Sequence, residues 1–219
     1  MKFTHLTFDC YGTLIDWRNG LESNLGGLLR RRGLPAGTNV YPTYLKFEAE
    51  QEGKYRPYKA ILKDTALSVA NNFRLAISDN EAQQFAESIP DWKPFRDTVA
   101  SLHELGKRGY KRVILSNIDR DLLEETIHRN GLAIDGYVTA EDVRSYKPAV
   151  GHWNRFFEQY KVPKDATLHV AQSLYHDIVP CRGLGIATAW INRYGEEKPA
   201  QVEPTFICPN LMGLLSVVE

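Results

Sequence analysis

Six short apolar runs, five of them separated by helical patterns, decide most of what this chain can become. Phe3 to Asp9, rich in Phe, Leu and Thr, reads as a short buried strand, and five further candidates come late: Arg112 to Leu115, Gly136 to Thr139, Thr167 to Ala171, Ile186 to Ile191, and Phe206 with Ile207. Phe95 to Arg108 is amphipathic; Leu122 to Arg129 stops at Gly131, Val150 to Tyr160 has Pro148 near its start, and Ile178 to Leu184 stops at Gly185. A last helix is expected through Leu215. Glycine just past a helical pattern and proline near its start are ordinary terminus signals. Strands alternating with helices predict an α/β fold, a mostly parallel sheet with helices on both faces.

The stretch between the first strand and the rest is different. Leu21, Leu25, Leu28 and Leu29 recur at helical spacing; Tyr44 to Gln51, Tyr58 to Phe73 and Asn80 to Ser88 also read as helices, and Pro35, Pro42 and Pro57 punctuate them. With no strand candidate, residues 17–89 read as a helical insert, dividing the chain into a core domain of residues 1–16 and 90–219 and a helical domain of residues 17–89. Such an insert is either a packing layer or a lid over a site on the sheet.

Composition narrows the function. The 219 residues carry 27 basic and 27 acidic side chains, so no basic field draws the whole protein onto nucleic acid. The one basic run, Arg30-Arg31-Arg32, ends a helix before Gly33, where cations favour the helix dipole. Cys10, Cys181 and Cys208 form neither a CxxC motif nor an even-numbered framework, which predicts reduced thiols. MKFTHLTFDCYG has no long apolar region or small-residue cleavage site, and no stretch approaches the roughly 18 apolar residues of a membrane span. The expectation is a cytoplasmic protein without membrane or nucleic-acid partners.

Four polar clusters follow predicted strands: Asp9-x-Tyr11-Gly12-Thr13, Ser116-Asn117, Lys147-Pro148, and Ser173 with Asp177. Taken singly, Asp9, Ser116-Asn117 and Asp177 would serve as helix caps and Lys147 as a surface lysine. In a parallel sheet, however, strand ends lie side by side, so two carboxylates, hydroxyls and a lysine would share one cleft. That set suits covalent hydrolysis, with Asp9 as nucleophile, Lys147 neutralising charge and hydroxyl or amide donors holding an anion. Cys10 would point into the core by strand alternation, and Asp16 reads as a cap or turn residue.

The segments FDCYGTLID, VILSN, DVRSYKP and AQSLYHD, in this order, resemble the haloacid dehalogenase superfamily over nearly the whole chain. The resemblance implies a Rossmann-like core with a helical cap inserted after the first strand. Superfamily phosphatases carry DxDGT, whose second aspartate protonates the leaving group; Tyr11 stands there instead, with a phenol pKa of about 10. The DxYGT form resembles the 2-haloacid dehalogenases, whose halide leaves without protonation and which need no metal. The implied reaction is hydrolysis of small 2-haloalkanoic acids, such as chloroacetate, 2-chloropropionate or fluoroacetate, to 2-hydroxy acids through an Asp9 ester, without cofactor. Asp9, Lys147 and Asp177 are then catalytic, with Lys147 keeping Asp9 ionised. Tyr11, Thr13, Ser116, Asn117, Trp153, Ser173 and His176 are the expected substrate-side residues, and a homodimer the expected assembly.

The chain also departs from that pattern. Tyr41 to Phe47 has no arginine where the L-2-haloacid dehalogenases place one against the halide, and Trp153 and Leu174 replace their tyrosine and asparagine. SLYHD resembles another branch, in which His176 and aromatic donors would stabilise the leaving halide. A magnesium-dependent phosphatase using Asp9 and Asp177, or a non-catalytic binding protein of this fold, are the alternatives.

Overall fold

The computed structural model describes residues 3–218; Met1, Lys2 and Glu219, the ends of the expected core domain, lie outside the described residues. Six strands form one wholly parallel sheet: β1 (His5–Phe8), β2 (Lys111–Ser116), β3 (Gly136–Thr139), β4 (Thr167–Ala171), β5 (Ala187–Ile191) and β6 (Phe206–Cys208). Their order is β3-β2-β1-β4-β5-β6, so the chain reverses direction across the sheet at β1. Phe8 is level with both Ile114 and Val170, which brings the carboxyl ends of the three central strands to one height. A crevice outside those ends, at the switch point, is where such sheets bind ligands.

Side-chain alternation gives the sheet two greasy faces. Leu6, Phe8, Ile114, Leu168 and Val170 belong to the larger buried cluster, whereas Val113, Leu115 and Val138 pack with Trp153 and Phe156 in a second one. The short helices α1 (Trp17–Leu21) and α2 (Gly27–Arg31) are joined by a wider turn over Glu22–Gly26. They are followed by α3 (Tyr41–Gln51), α4 (Tyr58–Asn72) and α5 (Asp79–Glu87), all before the second strand. These helices carry apolar residues into the larger cluster, where Leu25, Ile61, Leu62, Val69 and Phe85 are buried with Leu6 and Phe8.

The remaining helices are α6 (Thr98–Lys107), α7 (Arg120–Asn130), α8 (Ala140–Val143), α9 (Gly151–Tyr160), α10 (Val179–Gly183) and α11 (Leu211–Leu215). α8 is absent from the sequence reading, although Thr139 and Asp142 form its reciprocal capping box; four residues are too few for periodicity to register. α3 begins three residues earlier than expected. Its first amides have a cap from afar, because the Glu22 carboxylate accepts from Val40 N at 2.6 Å and Tyr41 N at 3.1 Å. Pro42 then sits harmlessly in the first turn rather than marking a break. The three cysteines are free and buried, Cys10 fully so. Among the described residues no helix is long and apolar enough to cross a membrane.

Candidate active site

Asp9 follows the last residue of β1, and its amide still pairs with Val170 O of β4 at 3.0 Å. The chain then turns sharply: Cys10 O accepts from Leu14 N at 2.7 Å and Ile15 N at 3.0 Å, and Gly12 takes φ +95°. That left-handed conformation is open to glycine without strain. The turn brings Thr13 back so that its hydroxyl donates to Asp9 Oδ2 at 2.8 Å, while Thr13 Oγ1 accepts from Gln172 N at 2.9 Å. One threonine thereby ties the ends of β1 and β4 together.

Lys147 supplies the charge beneath the cleft. Its ammonium donates to Asp9 Oδ1 at 2.9 Å, Asp177 Oδ1 at 2.6 Å and Leu115 O at 2.9 Å, a full set for three hydrogens. Asn117 holds the lysine's backbone at both ends of its amide, accepting from Lys147 N at 2.7 Å and donating to Lys147 O at 3.1 Å. The amide that the family resemblance assigns to substrate is therefore engaged in positioning Lys147, although Asn117 borders the cavity. Lys147 and Asp177 are each 1% exposed, so neither charge is solvated and each depends on the other.

The three charges share the pair unequally. Burial pushes the Asp9 carboxyl above the usual carboxylate range, against the pull of Lys147 and Thr13. The lysine favours the charged form, as expected, but burial outweighs it. At Asp177 burial also pushes upward, yet the Lys147 charge and the His169 hydrogen bond win and hold the carboxyl well below its usual range. Lys147, between two carboxylates, is raised despite its burial. His169 Nε2 donates to Asp177 Oδ1 at 3.0 Å, and its Nδ1 meets Thr7 Oγ1 at 2.8 Å, so β1 and β4 both support the second carboxylate. Asp177 Oδ2 is buried without a hydrogen-bond partner among the described residues.

A cavity of about 350 Å³ opens over Asp9. Asp9, Tyr11, Ser116, Lys147, Ser173, His176 and Asp177 all border it. The Tyr11 hydroxyl meets Thr126 Oγ1 at 2.8 Å, which leaves the ring as cavity wall. Ser173 caps the following turn by accepting from His176 N at 3.0 Å, and its hydroxyl lies 3.2 Å from His176 Nδ1. Burial lowers the His176 imidazole below its ordinary value, which favours the neutral ring.

Thr13 and Trp153 are the exceptions, and their expected contact with substrate is corrected: Thr13 is fully buried, with its hydroxyl held between Asp9 and Gln172 N, and Trp153 lies further off. It is fully buried on the inner face of α9 in the second cluster, away from the cavity, with its ring edge-on to His169 at 5.4 Å. Its neighbour His152 donates from Nε2 to Ser116 O at 3.0 Å; burial pushes this imidazole down to about 3, so it is neutral.

Several wall residues escaped the sequence reading. Tyr41, Leu45, Glu48 and Glu52 form a stripe at helical spacing along α3 and the residue that ends it, facing the cleft. Arg18, Gln172, Tyr194 and Glu196 also lie on the rim. The i, i+4, i+7 stripe was a readable signal; the rim residues had none, since nothing local distinguishes them from solvated side chains.

A carboxylate at the tip of a central parallel strand, backed by a buried lysine, is an arrangement suited to covalent hydrolysis. The haloacid dehalogenase-like hydrolase family model matches residues 3–185, and the chain belongs to that family. It is 22% identical over 202 residues to haloacetate dehalogenase H-2 of Moraxella sp. (strain B), covering 89% of this chain and 88% of that protein. It is 25% identical over 206 residues to (S)-2-haloacid dehalogenase of Pseudomonas sp. (strain YL), covering 87% and 83%. The fold is similar to that of L-2-haloacid dehalogenase from Xanthobacter autotrophicus, with TM-score 0.86 and 19% identity over 99% of this chain and 98% of that one.

Proposed function

We propose that the protein hydrolyses small 2-haloalkanoic acids to 2-hydroxy acids through an ester on Asp9. The observation that carries this reading is the Asp9–Lys147–Asp177 triad beneath the cavity, with Tyr11, and no acid, two residues after the nucleophile. An Asp9 oxygen attacks the carbon bearing the halogen, a carbon–oxygen bond forms, and halide leaves with the bonding pair. Water then attacks the Asp9 carbonyl carbon. In this reading Asp177 takes the water's proton and passes it to the departing alkoxide of the hydroxy acid, a role its unpartnered Oδ2 supports, and the proton left on the freed Asp9 carboxyl is lost to solvent. Lys147 compensates charge throughout, and Ser116, Ser173 and His176 are the wall groups left to meet substrate or halide.

The helices of residues 17–89 would act as a cap whose closure excludes water during displacement. Cytoplasmic location is supported by the three free thiols; a homodimer belongs to the same reading, and sedimentation tests it.

The test is release of free halide from chloroacetate, fluoroacetate and both 2-chloropropionate enantiomers in EDTA. Wild type is expected to release halide from at least one and Asp9→Asn from none. Silence on all four, with magnesium-dependent phosphate release from a phosphate-ester panel, would replace this reading by the phosphatase one.

A further inference from the structure

A carboxylate displaces a leaving group only when one of its oxygens is aimed along the breaking bond, so whatever fixes the rotation of Asp9 bears on the rate. Lys147 holds Oδ1 at 2.9 Å, and the Thr13 hydroxyl holds Oδ2 at 2.8 Å. The lysine is fastened by its other acceptors, Asp177 and Leu115 O. Thr13 needs a fastening of its own. It lies in a turn closed on one acceptor, where Cys10 O takes the amides of Thr13, Leu14 and Ile15 at 3.3, 2.7 and 3.0 Å. Among the described residues no backbone amide donates to the Thr13 carbonyl in return.

Arg193, in the loop after β5, fills that gap. Its Nε and Nη2 both donate to Thr13 O, at 2.9 and 2.7 Å. Its Nη1 donates to the Asp97 carboxylate, 3.0 Å from Oδ1 and 3.3 Å from Oδ2, and its Cζ lies 3.8 Å from the Phe95 ring centroid. Asp97 Oδ2 is fixed in turn by Leu211 N of α11 at 2.6 Å, and Phe95 N donates to Leu14 O in the same turn at 3.0 Å. The Arg193 side chain is 6% exposed and does not border the cavity, so it touches no substrate. A planar fork held by a carboxylate and a ring loses little freedom in gripping a carbonyl. Both of its free arms converge on the residue whose hydroxyl holds Asp9.

We propose that Arg193 is a positioning residue: acting through Thr13, it keeps the Asp9 carboxylate in the rotation from which displacement occurs. The proposal rests on Asp9 as the nucleophile of the dehalogenase reading. It extends the machinery to a loop outside the cavity, braced by Asp97 and Phe95 ahead of α6.

The test compares wild type, Arg193→Gln, Thr13→Val and the double variant by two readouts. With chloroacetate, Arg193→Gln should lower kcat by about tenfold or more while KM stays within about twofold of wild type. On top of Thr13→Val the same change should lower kcat by less than about twofold, because the hydroxyl it acts through is gone. The second readout is the titration of Asp9, followed by carbon NMR of isotope-labelled aspartate carboxyls with Asp9→Asn assigning the resonance. The Thr13 hydrogen bond pulls this carboxyl down, so Arg193→Gln should move it up, as Thr13→Val does, and the double variant no further. Lys147 and Asp177, the charges that face Asp9, are the same in every variant. A role confined to stability would lower the melting temperature and leave the Asp9 titration in place. Fully multiplied kcat losses in the double variant, or an Asp9 titration in Arg193→Gln that matches wild type, overturn the proposal. If wild type releases no halide, the dehalogenase reading fails and the titration alone decides. Should Arg193→Gln not fold, Arg193→Lys, which keeps a cation beside Asp97, is scored by the same criteria.

Discussion

Lys147 decides the energetics at the level of single residues. Removing it leaves Asp9 and Asp177 buried with no compensating charge, and breaking a buried pair in this way costs about 3–5 kcal/mol. Lys147→Ala is therefore expected to lower the unfolding free energy by about that much in urea titration, besides abolishing turnover. The depressed Asp177 carboxyl contributes stability that is full above its unfolded value of about 3.9 and is lost as pH falls toward the folded one. The penalty of Lys147→Ala should shrink over the same acid range, as the orphaned carboxyls become neutral.

The cap-side pair works in the opposite sense. Glu48 faces Tyr44 and Tyr58, whose hydroxyl donates to it, and Glu52 faces Lys147, Glu48 and His176, whose Nε2 is 3.8 Å away. Their raised values mean protonated carboxyls below about 7 and a doubly negative wall above about 8. For anionic haloacids kcat/KM should fall as pH rises through that window, and Glu52→Gln should flatten the alkaline limb of the profile.

Helix ends show the same dependence on distant partners one level up. α4 starts at Tyr58 after Pro57, with no side-chain cap of its own. Asp119, which precedes α7, accepts instead from Tyr58 N and Lys59 N, each at 2.8 Å, a cap supplied across the cleft. Asp119→Ala should cost about 1 kcal/mol and speed hydrogen exchange at those two amides more than elsewhere in α4. Glu22 capping α3 is the parallel case, and it explains why the sequence pattern placed that helix three residues too late. By contrast α5 carries its own capping box, Ser78 with Glu81, and its start was read to within one residue. Local caps are legible in a sequence, whereas caps donated from another element are not.

Across the whole molecule, the buried cluster runs without a break from Phe3, Leu6 and Phe8 through Trp17, Ile61 and Phe85 to Leu214. A helical segment sharing a core with the sheet should not melt alone. Calorimetry is expected to give one transition with matching calorimetric and van't Hoff enthalpies. Two resolved transitions would instead support residues 17–89 as an independent folding unit.

The sequence by itself determined the alternating strands and helices, the helical insert, and the expectation that Asp9, Lys147 and Asp177 share one cleft, where they do meet. Strand period, glycine turns and a carboxylate at a strand end are local properties that need no knowledge of neighbours. Tertiary structure alone decided that Trp153 packs behind His169 and that Asn117 holds the Lys147 backbone. It also decided that Arg18, Glu48, Glu52 and Glu196 share one rim. Those outcomes depend on which face each helix turns toward the sheet and on contacts between residues far apart in the chain, such as Arg193 Nη2 to Thr13 O at 2.7 Å, 180 positions apart. Hydrophobic periodicity orients a helix only toward its core; the polar side chains on its flanks acquire their partners when the cleft assembles.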